Sequence, residues 1–178
     1  IEVEKLPIKT KYIYASRRTW RVPSFIHEID EEYWDTFGNF GGVNSFKKLL
    51  AALGMNEEQF RDMFPEMQNI TKDTEITKEL VIELTESFRQ SQRYRDFVMK
   101  IAAEKRVSVC GYLEQEINPD EQFSIIEYWG RGYTQDCFVN LWHHITGRNE
   151  DIPFYYARSI LPSQGSSIRY NFTSNHTS

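Results

Sequence analysis

Residues 77–105, TKELVIELTESFRQSQRYRDFVMKIAAEK, form the longest regular pattern of this chain. Apolar residues recur in it at intervals of three and four, which is the spacing of one buried helix face. They are Leu80, Leu84, Phe88, Tyr94, Phe97, Val98 and Ile101. A polar interruption at residues 90–92 allows two consecutive helices in place of one. The stretch therefore predicts a fold built mainly from helices.

Shorter helical patterns precede this stretch. A first helix is predicted over residues 24–37, with the serine at its start as the cap. Asn44 is expected to cap a second helix, which Gly54 ends. Asn56 is expected to cap a third, because Gln59 follows it at capping-box spacing.

Three more helices are predicted downstream. Residues 118–121, Asn-Pro-Asp-Glu, combine a cap, a proline suited to the first turn and two acids, and predict a helix that runs to Gly130. A helix over residues 134–147 has a glycine as its terminator. Residues 151–161 are predicted to form the last helix.

Three segments have strand character. Residues 1–25 contain alternating β-branched and aromatic side chains and predict one or two strands. Residues 106–113 are rich in β-prone residues and predict a short strand. The alternation over residues 168–172 predicts a closing edge strand.

Together these patterns predict a mainly α fold of about six helices with a minor antiparallel β element, and α+β is the alternative class. A chain of 178 residues is expected to form one compact domain. We place that domain at residues 1–165, with an extended N-terminal segment over residues 1–23 and a polar C-terminal tail over residues 166–178.

Composition restricts the function classes. The chain has 26 acidic and 21 basic side chains, and no apolar run approaches the length of a membrane span. It starts at Ile1 without the pattern of a signal peptide, and it is interpreted as a domain of a larger protein. Two cysteines favour a cytoplasmic or nuclear location. Three N-x-S/T sequons, at Asn69, Asn171 and Asn175, leave an extracellular location open.

Two aromatic and basic clusters are the candidate binding residues. The first is Arg17, Arg18, Trp20 and Arg21, in which guanidinium groups suit phosphates or an acidic protein surface and the indole suits stacking on a base. The second is Trp129, Arg131 and Tyr133, where an arginine lies between two aromatic residues in a glycine-rich connection. Both clusters are compatible with a protein partner or with a nucleic acid.

No catalytic or metal-binding constellation is predicted. Cys137 and His144 lie seven residues apart, roughly 10 Å along a helix axis, whereas a nucleophile and its base must come within about 3 Å. The sequence contains no CxxC or HExxH motif and no acidic loop with calcium spacing, so no metal and no cofactor are expected. A cysteine-dependent hydrolase that pairs Cys137 with a distant histidine, such as His27, stays open as a second alternative.

The sequence therefore favours a non-catalytic interaction module, a scaffold-like helical domain that binds a protein or peptide. A nucleic-acid-binding domain that uses the basic N-terminal arm is the first alternative. No membrane partner is expected, and a homodimer is compatible with an edge strand in the N-terminal segment.

Overall fold

The computed structural model describes residues 8–37, 42–130, 132–159 and 169–171 of the 178-residue chain. Within these ranges only the main chain is described for Arg17, Arg18, Trp129, Arg158, Ser159, Arg169 and Asn171. The fold is mainly helical with a minor β element, as the sequence predicts.

The chain divides into two compact units. The central unit is Phe25–Glu104, and the terminal unit combines Ile1–Ser24 with Lys105–Ser178. The central unit has 9 basic and 16 acidic side chains, while the terminal unit has 12 basic and 10 acidic ones. The single domain over residues 1–165 stays a prediction. Most of the predicted tail, residues 166–178, lies outside the described residues.

The central unit consists of short helices followed by two long ones. They are α2 (Glu31–Asp35), α3 (Phe46–Leu53), α4 (Glu57–Met63), a 3₁₀ turn (Pro65–Met67), α5 (Lys78–Gln90) and the first part of α6 (Gln92–Glu116). The break at Ser91 divides the stretch into two consecutive helices, which is one of the two arrangements that the polar interruption leaves open. Gly54 ends α3 with φ +72°, a conformation that a side chain disfavours. The cap of α3 is Ser45, whose hydroxyl accepts from Lys48 N, and the predicted cap Asn44 is wrong by one position.

The capping box of α4 is confirmed. Asn56 Oδ1 accepts from Gln59 N at 2.8 Å, and Gln59 Oε1 accepts from Asn56 N at 2.9 Å. Both backbone donors lie at the start of the helix, where no intrahelical acceptor exists. The side chain of each residue thus accepts a hydrogen bond from the backbone N–H of the other.

Replacing Asn56 with Ala is expected to lower the free energy of unfolding by about 1 kcal/mol, because both reciprocal bonds lose a partner or its geometry. The measurement is urea denaturation followed by circular dichroism. Glu58→Ala, an exposed change in the same helix, is the matched control. Equal stability of the two variants would contradict the role of the capping box.

The first helix of the central unit is shorter than predicted. Ser24 Oγ donates to Arg21 O at 2.7 Å instead of capping a helix. Asp30 is the actual cap, since its Oδ1 accepts from Tyr33 N at 2.7 Å. The predicted helix over residues 24–37 is therefore limited to Glu31–Asp35, and a local hydroxyl–carbonyl bond has replaced the capping interaction.

An aromatic core fills the central unit. Phe64 lies 4.9 Å from Phe88 and 5.9 Å from Tyr94, measured between ring centroids. The Tyr94 hydroxyl is fully buried and forms a 2.8 Å hydrogen bond with the Tyr33 hydroxyl. Burial, and secondarily the proximity of Tyr33, raises the pKa of Tyr94 well above its ordinary value of 10.0.

This raised pKa predicts a loss of stability in alkali. The folded pKa of Tyr94 exceeds the unfolded value, so its contribution is complete below about pH 10 and is lost as pH rises further. The free energy of unfolding should fall more steeply above pH 10 in the wild type than in Tyr94→Phe. Urea denaturation between pH 8 and about pH 11.5 measures this, and identical slopes would contradict it.

The terminal unit combines helices with a small sheet. Its elements are α1 (Arg17–Trp20), the second part of α6, β1 (Ile125–Gly130), α7 (Tyr133–Thr146), β2 (Phe154–Ser159) and β3 (Arg169–Asn171). Helix α7 ends at Gly147, as predicted. The described residues 8–16 contain no helix or strand, so the predicted N-terminal strand is wrong there.

Residues 106–113 belong to helix α6, and the predicted strand is wrong. Val109, Leu113 and Ile117 are four residues apart and face the core of the terminal unit, while Val107 is exposed. This spacing is helical. The helix period therefore overrides the β propensity of the individual residues.

Two predicted helices are strands instead. Over residues 118–130 the Asn-Pro-Asp-Glu segment forms a turn, in which Asn118 Oδ1 accepts from Asp120 N at 3.1 Å, and β1 follows. The predicted helix over residues 151–161 is described as far as residue 159, and there the buried Phe154 and Tyr156 alternate with the partly exposed Tyr155, which is the period of a strand.

The sheet is parallel, in the order β1-β2-β3, and not antiparallel as predicted. Ile126 pairs with Tyr155, which in turn pairs with Tyr170. Helix α7 connects β1 to β2, a crossover that parallel neighbours require. The predicted edge strand over residues 168–172 is confirmed for 169–171, and its two end residues lie outside the described ranges.

Candidate functional site

The strand–helix–strand segment from β1 to β2 positions the candidate site. Gly132 precedes α7 with φ +88°, a left-handed conformation in which a side chain is strained. Gly130 ends β1, and a Cβ atom there would lie 2.9 Å from both Glu127 Oε1 and Tyr156 Cε1. Gly130 thus allows close packing at the end of β1, and Gly132 allows the backbone conformation that starts α7.

One face of the sheet is covered by α7. Phe154 and Tyr156 are buried, and the Phe154 ring lies 5.9 Å from the Phe138 ring. The Tyr156 hydroxyl donates to Gln135 Oε1 at 3.2 Å, so a buried polar pair links β2 to the first turn of the helix. This face is part of the core and is closed to a partner.

The opposite face of the sheet carries large exposed side chains. Ile126 and Tyr128 of β1 are 75% and 79% exposed, and Tyr170 of β3 is 46% exposed. Tyr155 of β2 stacks on Tyr170 with ring centroids 4.8 Å apart and planes 14° apart. We call Ile126, Tyr128, Tyr155 and Tyr170 the open face.

The open face carries no charged side chain among the described residues. Its four members and Ala157 alternate along the strands with residues directed towards α7, such as Glu127 and Tyr156. The sequence pattern predicts helices at β1 and β2, so this surface is not predicted from the sequence. Residues 125–130, Ile-Ile-Glu-Tyr-Trp-Gly, have apolar side chains at both alternating sets of positions, so a period-two pattern gives no signal there.

The first predicted cluster is placed at α1. The Trp20 ring is 3% exposed and packs 5.3 Å from the Phe138 ring, so it has no accessible face for a base. Arg21 is 9% exposed. The side chains of Arg17 and Arg18 lie outside the described part of the structure.

Of the second predicted cluster, only the side chain of Tyr133 lies within the described residues. The Arg21 guanidinium lies 5.8 Å from the centroid of the Tyr133 ring, a cation–π distance, so one member of each cluster is brought together. The side chain of Trp129 and the whole of Arg131 lie outside the described residues. A binding role for the seven predicted residues stays a prediction.

The surroundings of Cys137, His143 and Cys110 in the terminal unit bear on the hydrolase alternative. Cys137 is buried on α7, and His143 Nε2 lies 2.9 Å from Glu150 O. Burial raises the pKa of the Cys110 thiol, and the nearby Arg106 guanidinium offsets this only in part. His27, the distant base considered for Cys137, belongs to the central unit. The hydrolase alternative stays a prediction, which alkylation of Cys137 in the folded protein would test.

A cleft of about 410 Å³ lies in the central unit. Its cationic side chains are engaged within the protein. Arg89 forms an ion pair with Glu31, and Arg95 donates to Arg89 O at 2.7 Å and to Gln92 Oε1 at 2.6 Å. Because these arginines already have partners within the protein, the cleft is a weaker candidate for a binding site than the open face.

Within the described ranges, no group of three or more potential metal-ligating side chains occurs. None of the described helices combines the length and the apolar character needed to cross a bilayer. A comparison with protein-family models finds no match, and no curated protein is significantly similar in sequence.

Proposed function

We propose that this chain is a non-catalytic recognition module, and that it binds a protein or peptide through the open face. The observation that carries this proposal is the exposure of Ile126 and Tyr128 on a parallel sheet. Parallel sheets normally have both faces covered. An uncovered aromatic face of this kind is typical of an interaction surface.

The chemistry of the open face favours a protein over a nucleic acid. Nucleic-acid surfaces combine aromatic platforms with cations that neutralise phosphates. The described side chains of the open face are uncharged, and the Trp20 ring of the basic arm is buried. An intracellular location, in which Cys110 and Cys137 stay as thiols, belongs to the same proposal.

Nucleic-acid binding is the second candidate, and the charge of the terminal unit favours it. This unit carries two more basic than acidic side chains, although the whole chain has a net charge of −5. Binding to mixed DNA and RNA oligonucleotides at about 50 and 200 mM salt distinguishes the candidates, because phosphate contacts lose affinity steeply over this range. Tight, salt-sensitive binding would replace the first proposal.

The direct test uses a random peptide library displayed on phage and the whole chain as bait. Selected peptides should bind Tyr128→Ala at least about tenfold more weakly than the wild type, since a central aromatic contact is worth 1.4 kcal/mol or more. Tyr12→Ala is the matched control, because Tyr12 is similarly exposed in the same unit but lies outside the sheet. Failure to select any peptide sensitive to Tyr128 would contradict the proposal.

A further inference from the structure

Strand β1 is one edge of the described sheet, and β3 is the other. Among the described residues β1 pairs with β2 on one side only, so its outer edge has no strand partner there. Ile125 N donates to Pro153 O at 3.0 Å, so Ile125 directs its backbone groups towards β2. Because alternate residues of a parallel strand face alternate sides, Ile126 and Tyr128 direct their N–H and C=O groups away from β2.

The same two residues have exposed side chains. Exposed edges in other proteins are commonly blocked by lysine, proline or a bulge, which prevent pairing with another chain. At β1 the exposed side chains are those of Ile126 and Tyr128, and the carboxylate of Glu127, the charged residue of this strand, lies beside Gly130 and Tyr156. Ile126 and Tyr128 thus combine outward-facing backbone donors and acceptors with exposed apolar side chains on the same strand.

The size of the open face limits what can occupy it. A large aromatic side chain covers roughly 150–250 Å², so the four partly exposed members present on the order of 500 Å². A stable complex between folded proteins needs about 800 Å² from each partner. The face alone is therefore too small for a folded partner or for a second copy, but it suits one extended segment that adds backbone hydrogen bonds.

We propose that β1 binds an extended peptide segment of another protein by strand addition. The segment lies beside β1, exchanges hydrogen bonds with Ile126 and Tyr128, and places apolar side chains at alternate positions against the open face. Uncharged, β-branched or aromatic residues fit these positions because the open face is itself uncharged. This inference rests on the proposed function and specifies its partner and its geometry.

Hydrogen exchange of the whole chain tests the geometry. The probe is a synthetic peptide of about 12 residues, long enough to span a strand, taken from the phage selection. At saturation the Ile126 and Tyr128 amides should exchange at least about tenfold more slowly, whereas the Ile125 and Glu127 amides, already directed to β2, should change less. Such a pattern requires new bonds at the outer edge and does not follow from side-chain contact alone.

Backbone methylation of the peptide gives a second readout that leaves the protein unaltered. Methylating amides at every second position removes donors on one side of the peptide strand only. One of the two alternating series should weaken binding by at least about tenfold, and the other should bind nearly as the parent peptide does.

The outcomes separate the two proposals. Binding that depends on Tyr128 but shows neither amide protection nor a methylation pattern would overturn strand addition and leave the recognition function standing. Absence of any Tyr128-dependent peptide would overturn both. Sedimentation as a dimer with Ile126 and Tyr128 protected before peptide is added would show that a second copy occupies the edge, and would overturn the peptide partner.

Discussion

Replacing Phe138 with Ala is expected to lower the free energy of unfolding by about 3–5 kcal/mol. Phe138 is fully buried on α7, and its ring contacts four other aromatic rings. The centroid distances are 5.3 Å to Trp20, 6.1 Å to Phe123, 6.1 Å to Trp142 and 5.9 Å to Phe154. Four neighbours on three other segments and on α7 itself cannot all move to fill the cavity, so the loss should lie at the upper end of the range for core truncations.

Urea denaturation followed by tryptophan fluorescence measures this effect, since Trp20 and Trp142 both lie in the altered cluster. Asn140→Ala is the matched control, because Asn140 is exposed on the same helix, and it should change stability by less than about 0.5 kcal/mol. A loss below about 1 kcal/mol for Phe138→Ala would show that the described packing around α7 is incorrect.

Replacing Phe88 with Ala should have a similar effect in the central unit, about 3–5 kcal/mol. Phe88 on α5 is fully buried, and its ring lies 5.7 Å from Phe37, 4.9 Å from Phe64 and 5.6 Å from Tyr94. Removing it opens a cavity between segments that are distant in sequence and also loosens the surroundings of the Tyr94 hydroxyl. The alkaline loss of stability assigned to Tyr94 should therefore become smaller in this variant.

The measurement is urea denaturation at neutral pH and at about pH 11, above the ordinary tyrosine pKa. Ile82→Ala is the control, because Ile82 is a large apolar residue of the same helix with an exposed side chain. We expect it to cost less than about 1 kcal/mol. Equal effects of the two substitutions would contradict the assignment of Phe88 to the core.

The helices of the central unit were largely predictable because their signals are local. Asn56 and Gln59 satisfy each other's backbone groups across three residues, and Gly54 ends α3 by its own conformation. The apolar positions of α5 and α6 repeat with the period of a single helix face. None of these features depends on a distant partner.

The open face was not predictable in the same way. Segments 125–130 and 154–159 are strands only because each pairs with the other through a parallel ladder, and the helix between them separates their sequences. Short runs of isoleucine and tyrosine fit a helix or a strand equally well until that pairing is known. Trp20 and Arg21 illustrate the same difficulty, since an aromatic–basic pair has the composition of a binding patch whether it is buried or exposed.

The sequence by itself therefore determined the helical class, the helical stretch over residues 77–105 with its interruption, the glycines that end α3 and α7 and the cap of α4, because hydrogen bonds and periodicity within a few residues decide these features. Tertiary structure alone decided that residues 106–113 continue a helix, that β1 and β2 are parallel strands, and that Tyr128 is exposed while Trp20 is buried. These features depend on which apolar surfaces meet across long sequence separations, and burial against a partner outweighs local propensity there.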